Sequence, residues 1–228
     1  MTTIKTLIST VALIAASTVC AQSSNTCSWF PKGEDGPGVI GKRYAEASFD
    51  VTELRHTAHN ICDAGISANI PVIQGLDVSG GYNYAWYNLP TYGHGPSSYR
   101  ARAQSINANA TLYKTIEDGV KPFISAGLQR SWQDLNGPYS YHSAYNVTSF
   151  AVTAGAEFPY KWVAVIPSIN YQDDFKRSAE SSQSFSYAVE VNSWITKKIG
   201  VYVNASYSAW QHSSYDQLSY GAGVRVRF

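Results

Sequence analysis

Seven charged residues stand on the polar side of alternating segments: Glu46, Asp77, Lys121, Glu157, Glu190, Arg225 and Arg227. If these segments line one interior, two kinds of chemistry follow. Paired, the charges form salt bridges that fill and stiffen that interior. Left facing water, they form a charged constriction that selects solutes by sign. Side chains fill narrow closed sheets, which favours the first arrangement. No metal site is expected: His56, His59 and Cys62 recur every third residue beside Asp63, but that spacing gathers ligands on a helix, and this stretch enters a strand. Hydrolysis would need carboxylates and a histidine gathered around a water. Asp173, Asp174 and His212 could approach one another, with His94, Asp134, His142 and Asp216 nearby in other polar stretches. Polar loops carry such residues by default, so the expectation is that the protein is not an enzyme and uses no cofactor.

The elements that must position these groups have period two. Side chains along a strand point to opposite faces in turn. In residues 44–52, Ala45, Ala47, Phe49 and Val51 oppose Glu46, Ser48 and Asp50. The same pattern returns over residues 63–70, 76–87, 103–113, 120–132, 150–158, 163–171, 184–192, 201–210 and 218–228. About ten strands result, each near the nine to eleven residues that cross a bilayer at a tilt, with eight or twelve strands as alternatives. The links alternate too. Residues 71–75, 115–119, 159–161 and 193–200 are short; residues 88–100, 133–146, 172–183 and 211–217 are long and polar. Short turns on one side and long loops on the other are the habit of antiparallel membrane barrels. Pro167 falls inside a strand, where it forfeits a ladder hydrogen bond, so a bulge is expected there.

Composition agrees. The chain holds 17 Tyr, 6 Trp and 8 Phe against 14% charged residues and a single Met. Its net charge of +1, with Lys and Arg dispersed, argues against nucleic acid as a partner. Indole and phenol rings favour the headgroup region of a membrane. Trp86, Trp132 and Trp210 end strands beside long links, and Trp162 and Trp194 stand beside short ones. All five are expected at the lipid interfaces. Tyr92, Tyr99, Tyr139, Tyr141, Tyr145 and Tyr215 lie in loops rich in Ser, Asn and Gly, a composition suited to contacting a surface ligand.

Residues 1–21 carry a lone early Lys5, an apolar run and small residues before Gln22, so they are expected to be a cleaved signal peptide. Residues 22–41 show no periodicity and several Gly and Pro, as a periplasmic leader or a lumen plug would; the barrel should occupy residues 42–228. Cys27 and Cys62 should then sit about a membrane thickness apart, roughly 30 Å, beyond disulfide reach. Free thiols are expected unless the leader threads the lumen.

The run Lys121-Pro122-Phe123-Ile124-Ser125-Ala126-Gly127 and the ending Tyr220-Gly221-Ala222-Gly223-Val224-Arg225-Val226-Arg227-Phe228 carry a resemblance. The chain resembles the small bacterial outer-membrane β-barrel proteins, the porin-like and OmpA/OmpX-like membrane domains. That resemblance implies an all-β, antiparallel up-and-down transmembrane barrel in the outer membrane of a Gram-negative cell, bathed in outer-membrane lipid. It also implies that Tyr220, Val224, Val226 and Phe228 are read by the barrel insertion machinery. The expected role is structural or surface-interacting with a largely filled lumen; the alternatives are a narrow channel for ions or small solutes, and a barrel-borne hydrolase.

Overall fold

Period-two alternation becomes ten strands, and their pairing closes. The computed structural model describes residues 36–54, 60–90, 98–136, 142–175, 183–210 and 216–228. The strands are β1 (Tyr44–Leu54), β2 (Asn60–Ile73), β3 (Leu76–Pro90), β4 (Ser98–Tyr113), β5 (Lys121–Asn136), β6 (His142–Tyr160), β7 (Val163–Asp174), β8 (Gln183–Trp194), β9 (Ile199–Trp210) and β10 (Gln217–Arg227). Each pairs antiparallel with its neighbours in sequence, and β1 pairs with β10, so no edge is left open. Closure lets the strands meet their ladder bonds from within, the condition for crossing hydrocarbon with strands.

The outer wall is greasy and exposed. Ile66 on β2 is 62% accessible and Leu128 on β5 is 56%, with Phe49, Val78, Ile106, Ile124, Ile169, Val189 and Val224 also exposed around the ring. A continuous apolar surface of this size does not suit water; it is a lipid-facing belt. Among the described residues no helix is long and apolar enough to cross a membrane. The strands do the crossing.

One end of the barrel carries tight turns. Gly75 takes a φ of +90° between β2 and β3, Asp118 and Gly119 take positive φ before β5, and Lys161 does so between β6 and β7. This is the periplasmic end in barrels of this kind. At the other end two links expected as loops are partly strand. Pro90 pairs with Ser98, and Asn136 with His142, so the hairpins β3–β4 and β5–β6 extend well past the belt. Backbone pairing in water needs no alternation of hydropathy, and that part of each strand left no periodic signal.

Pro167 corrects a second expectation. The ladder between β6 and β7 lapses opposite Ala156 and Glu157 and then resumes in the same register, Gly155 with Ser168 and Phe158 with Val165. On its other side Pro167 pairs normally with Val189. Two pairings are missing and no residue is inserted, so there is no bulge. The register shift lies instead near the turn of β2, between Pro71 and Ile73.

Candidate functional site at the periplasmic mouth

Residues 36–43 lie across the periplasmic mouth as a strap, held by side chains from the surrounding strands. Glu157 of β6 is its main anchor. One carboxylate oxygen, Oε2, accepts the backbone N–H of Val39 at 2.5 Å and of Ile40 at 3.0 Å. The other, Oε1, faces Lys121 Nζ at 3.3 Å. Lys121 in turn donates to the Ile40 carbonyl at 2.6 Å. Asp77 of β3 accepts the N–H of Gly41 at 2.7 Å and the amide of Asn69 at 3.0 Å, and Asn69 also donates to the Lys42 carbonyl at 2.8 Å. From β8, Asn192 donates to the Pro37 carbonyl at 2.8 Å, and Trp194 Nε1 to the Gly38 carbonyl at 3.1 Å. Arg227 and Lys42 both reach the Gly36 carbonyl.

A strap with these contacts needs glycine at particular places. A Cβ on Gly38 would lie 2.1 Å from Glu157 Oε1. Gly41 holds a φ of +81°, and a Cβ there would approach the Tyr113 hydroxyl to 2.6 Å. Between these, Val39 and Ile40 turn inward and pack with Ile166 and Trp194, against Tyr44, Tyr113 and Phe123. An apolar knot bordered by an ion pair and hydrogen bonds thus stands at the mouth. Buried backbone groups of an irregular segment need such partners.

Beside the strap, and joined to it through Asn192, Arg225 of β10 forms a second knot. Its Nε donates to Glu46 at 2.8 Å, and its two terminal nitrogens donate to the two oxygens of Glu190 at 2.6 and 2.9 Å. Asn192 Oδ1 takes a further bond at 2.9 Å. The guanidinium lies 3.9 Å from the Tyr202 ring centroid and 5.2 Å from that of Tyr44. A planar fork that stacks and bonds two carboxylates is an arginine's task rather than a lysine's.

The remaining lumen differs in kind. Thr111 bonds Ser125, Thr153 bonds Asn170, Ser186 bonds Ser208, and Thr52 bonds Ser219. Amide and carboxylate ends lean over inward glycines: a Cβ on Gly127 would lie 1.8 Å from Asn109 Oδ1, and one on Gly221 would lie 1.7 Å from Asp50 Oδ1.

No protein-family model matches the chain, and no curated protein matches it in sequence. Solved structures do match. The translocator domain of the autotransporter NalP from Neisseria meningitidis is 8% identical with a TM-score of 0.50, over 99% of this chain and 100% of that one. Neisserial surface protein A is 16% identical with a TM-score of 0.42, over 82% and 96% of the two chains. The outer membrane protease OmpT from Escherichia coli is 9% identical with a TM-score of 0.46, over 84% and 98%. This is the fold of an outer-membrane β-barrel. The lipid-facing belt supplies the surface that such a location requires.

The seven charges weighed for one interior fall into two groups. Arg225, Glu46 and Glu190 join in the second knot. Lys121, Glu157, Asp77 and Arg227 serve the strap instead. Glu46 and Arg225 sit directly opposite each other across the seam of β1 and β10. Sequence reasoning missed Asn69, Asn192, Tyr44 and Tyr202, which bond or stack with these charges. Each shares the inward parity of its strand, which was the available signal.

Trp194 is a correction. It was expected at the inner lipid interface, yet it is 2% exposed, bonded to the strap, with the Arg227 guanidinium 3.7 Å from its ring centroid. Its parity is that of Glu190 and Asn192, so it points inward with them. Gly200 opposite leaves room for the indole, where a Cβ would come within 2.8 Å of the ring. Trp86 and Trp132 are exposed on outward parity, and Trp162 is half-buried in the turn after β6. Trp210 ends β9 opposite Ser184, and its side chain lies outside the described residues.

Val224, Val226 and Phe228 are exposed on the outer face of the last strand, and Tyr220 shares their parity. Cys62 is half-buried, with no disulfide among the described residues. Cys27, the signal peptide, His56, His59, His94, His212 and the tyrosines at 92, 139, 141 and 215 lie outside the described residues, as do the side chains of Tyr99, His142 and Tyr145. Of the carboxylates weighed for hydrolysis, Asp173 accepts from Gln183 at 3.1 Å and from the Tyr171 hydroxyl at 3.3 Å. Among the described residues no group of three or more His, Cys, Asp or Glu could hold a metal ion.

Proposed function

We propose that this protein is a sealed outer-membrane barrel with a structural or surface-interaction role and no enzymatic activity of its own. The observation that supports sealing is the strap. Seven barrel side chains from six strands, Asn69, Asp77, Lys121, Glu157, Asn192, Trp194 and Arg227, bond its backbone. Glu157, the hinge of that set, is 1% exposed. Anchoring so distributed holds a segment shut rather than letting it swing.

Refolded protein in a planar lipid bilayer provides the test. The intact chain is expected to give no steady discrete current steps. The double variant Asp77→Ala, Glu157→Ala removes three of the strap's N–H bonds and should conduct. Steady steps from the unaltered protein would overturn the sealed reading in favour of a narrow channel. One feature favours that second reading: above the strap the lumen is lined with small polar residues such as Ser48, Gly65, Ser125 and Gly127.

A further inference from the structure

Outward-facing positions across the belt are uncharged among the described strand residues, and near its upper rim two cations appear. Arg130 of β5 pairs across the sheet with Ile106 and Thr148, and Ile106 is exposed to lipid. Arg102 of β4 pairs with Trp86 and Asp134. Both arginines are exposed, and among the described residues neither forms an ion pair. The Arg130 guanidinium lies 5.7 Å from the ring centroid of Trp132, the next outward residue on its strand.

Their depth follows from those neighbours. An arginine on the lipid face of a barrel costs about 2–4 kcal/mol at the midplane and about 0–1 kcal/mol near the interface. Tryptophans settle at the headgroup level, and Trp86 and Trp132 flank this pair. The arginines thus stand where lipid phosphates lie. A guanidinium offers phosphate a planar two-pronged donor set, and stacking on Trp132 orients that of Arg130. Asp134 opposite Arg102 weakens the Arg102 corner, while Asp173, across β6 from Arg130, is engaged by Gln183 and Tyr171. Along the strand direction the two arginines are four residues apart in register, about 13 Å, a span that their side chains shorten.

We propose that Arg130, assisted by Arg102, binds the phosphates of an anionic lipid headgroup in the leaflet at the loop end of the barrel. Folded protein in uncharged detergent micelles, incubated with bisphosphorylated lipid A and examined by native mass spectrometry, tests this. The wild type should retain the lipid. The double variant Arg102→Gln, Arg130→Gln should retain about tenfold less, and Arg130→Lys should fall between them. Heat-modified gel migration verifies that the variants are folded. Equal retention by wild type and double variant would overturn the proposal. So would displacement of the lipid by inorganic phosphate at matched phosphate concentration, since that would make the site one for the free ion.

Discussion

The two ends of the lumen obey different rules. At the periplasmic mouth the charges are buried or largely so, most of their polar atoms are bonded to fixed partners, and an irregular segment of chain is held among them. Toward the outside, hydroxyls and amides bond in pairs between neighbouring strands, and glycines leave space that long polar side chains lean into. The difference shows where rigidity was needed. Ionised groups withdrawn from water cost several kcal/mol each unless fully paired, so a network such as that of Arg225, Glu46 and Glu190 tolerates no loss. The upper lumen keeps the two acids Asp50 and Asp63, which face each other across β1 and β2, but is otherwise mostly Ser, Thr and Asn, groups that can rearrange at little cost.

The mouth's dependence on fixed partners is greatest at Arg225. Arg225→Ala leaves Glu46 and Glu190 facing each other across an emptied site, with 19% and 22% of their side chains exposed. A cost of about 3 kcal/mol is expected, at the lower end for a broken buried pair because both partners keep some water. Urea titration of the folded barrel in micelles, read by heat-modified gel migration, measures it. Adding Glu46→Gln and Glu190→Gln should recover part of the loss. If Arg225→Ala unfolds at the wild-type urea concentration, the mouth is no more rigid than the rest.

A smaller and more local effect is expected at Glu157. Glu157→Gln removes the charge that faces Lys121 and weakens both bonds to the strap. Loss of a charged acceptor from buried donors costs about 1–3 kcal/mol, and it should appear as opening of the strap rather than of the barrel. Amide exchange at Val39 and Ile40 should quicken by about tenfold or more, while strand amides above Gly127 keep their protection. Uniform quickening would mean that strap and barrel open as one unit.

Much of this arrangement was legible in the chain. Strand existence, inward parity and the opposition of Glu46 to Arg225 follow from a period of two and from the need of the first and last strands to meet. Residues 22–41 read only as a leader or a plug, and the course and anchoring of the strap were not legible. Its anchors bind backbone atoms, which every residue carries, so residues 36–43 show only Gly36, Pro37, Gly38 and Gly41 as punctuation. Trp194 was misplaced because its nearness to a turn outweighed its parity with Glu190 and Asn192. The extended hairpins were missed because strands paired in water have no greasy side to betray them.

The finest test of the comparison uses two glycines that would each gain one methyl group. At Gly38 the new carbon would meet the Glu157 carboxylate at 2.1, 2.5 and 2.8 Å, and that carboxylate is fixed by Val39, Ile40 and Lys121. At Gly65 it would meet Asn83 Oδ1 at 2.2 Å and Ser48 Oγ at 2.8 Å, the free ends of side chains on β3 and β1. By intrusion alone the two sites are nearly equal. Gly65→Ala should nevertheless be close to neutral: swinging Asn83 aside costs little, and alanine is better than glycine by about 0.5–1 kcal/mol within a strand. Gly38→Ala must displace an anchored carboxylate, and overpacking of a fixed site costs about 1–3 kcal/mol. Paired urea titrations with amide exchange at Ile40 separate them. Equal losses at both positions would show that the upper lumen is as tightly fixed as the mouth, and the division drawn between them would fail.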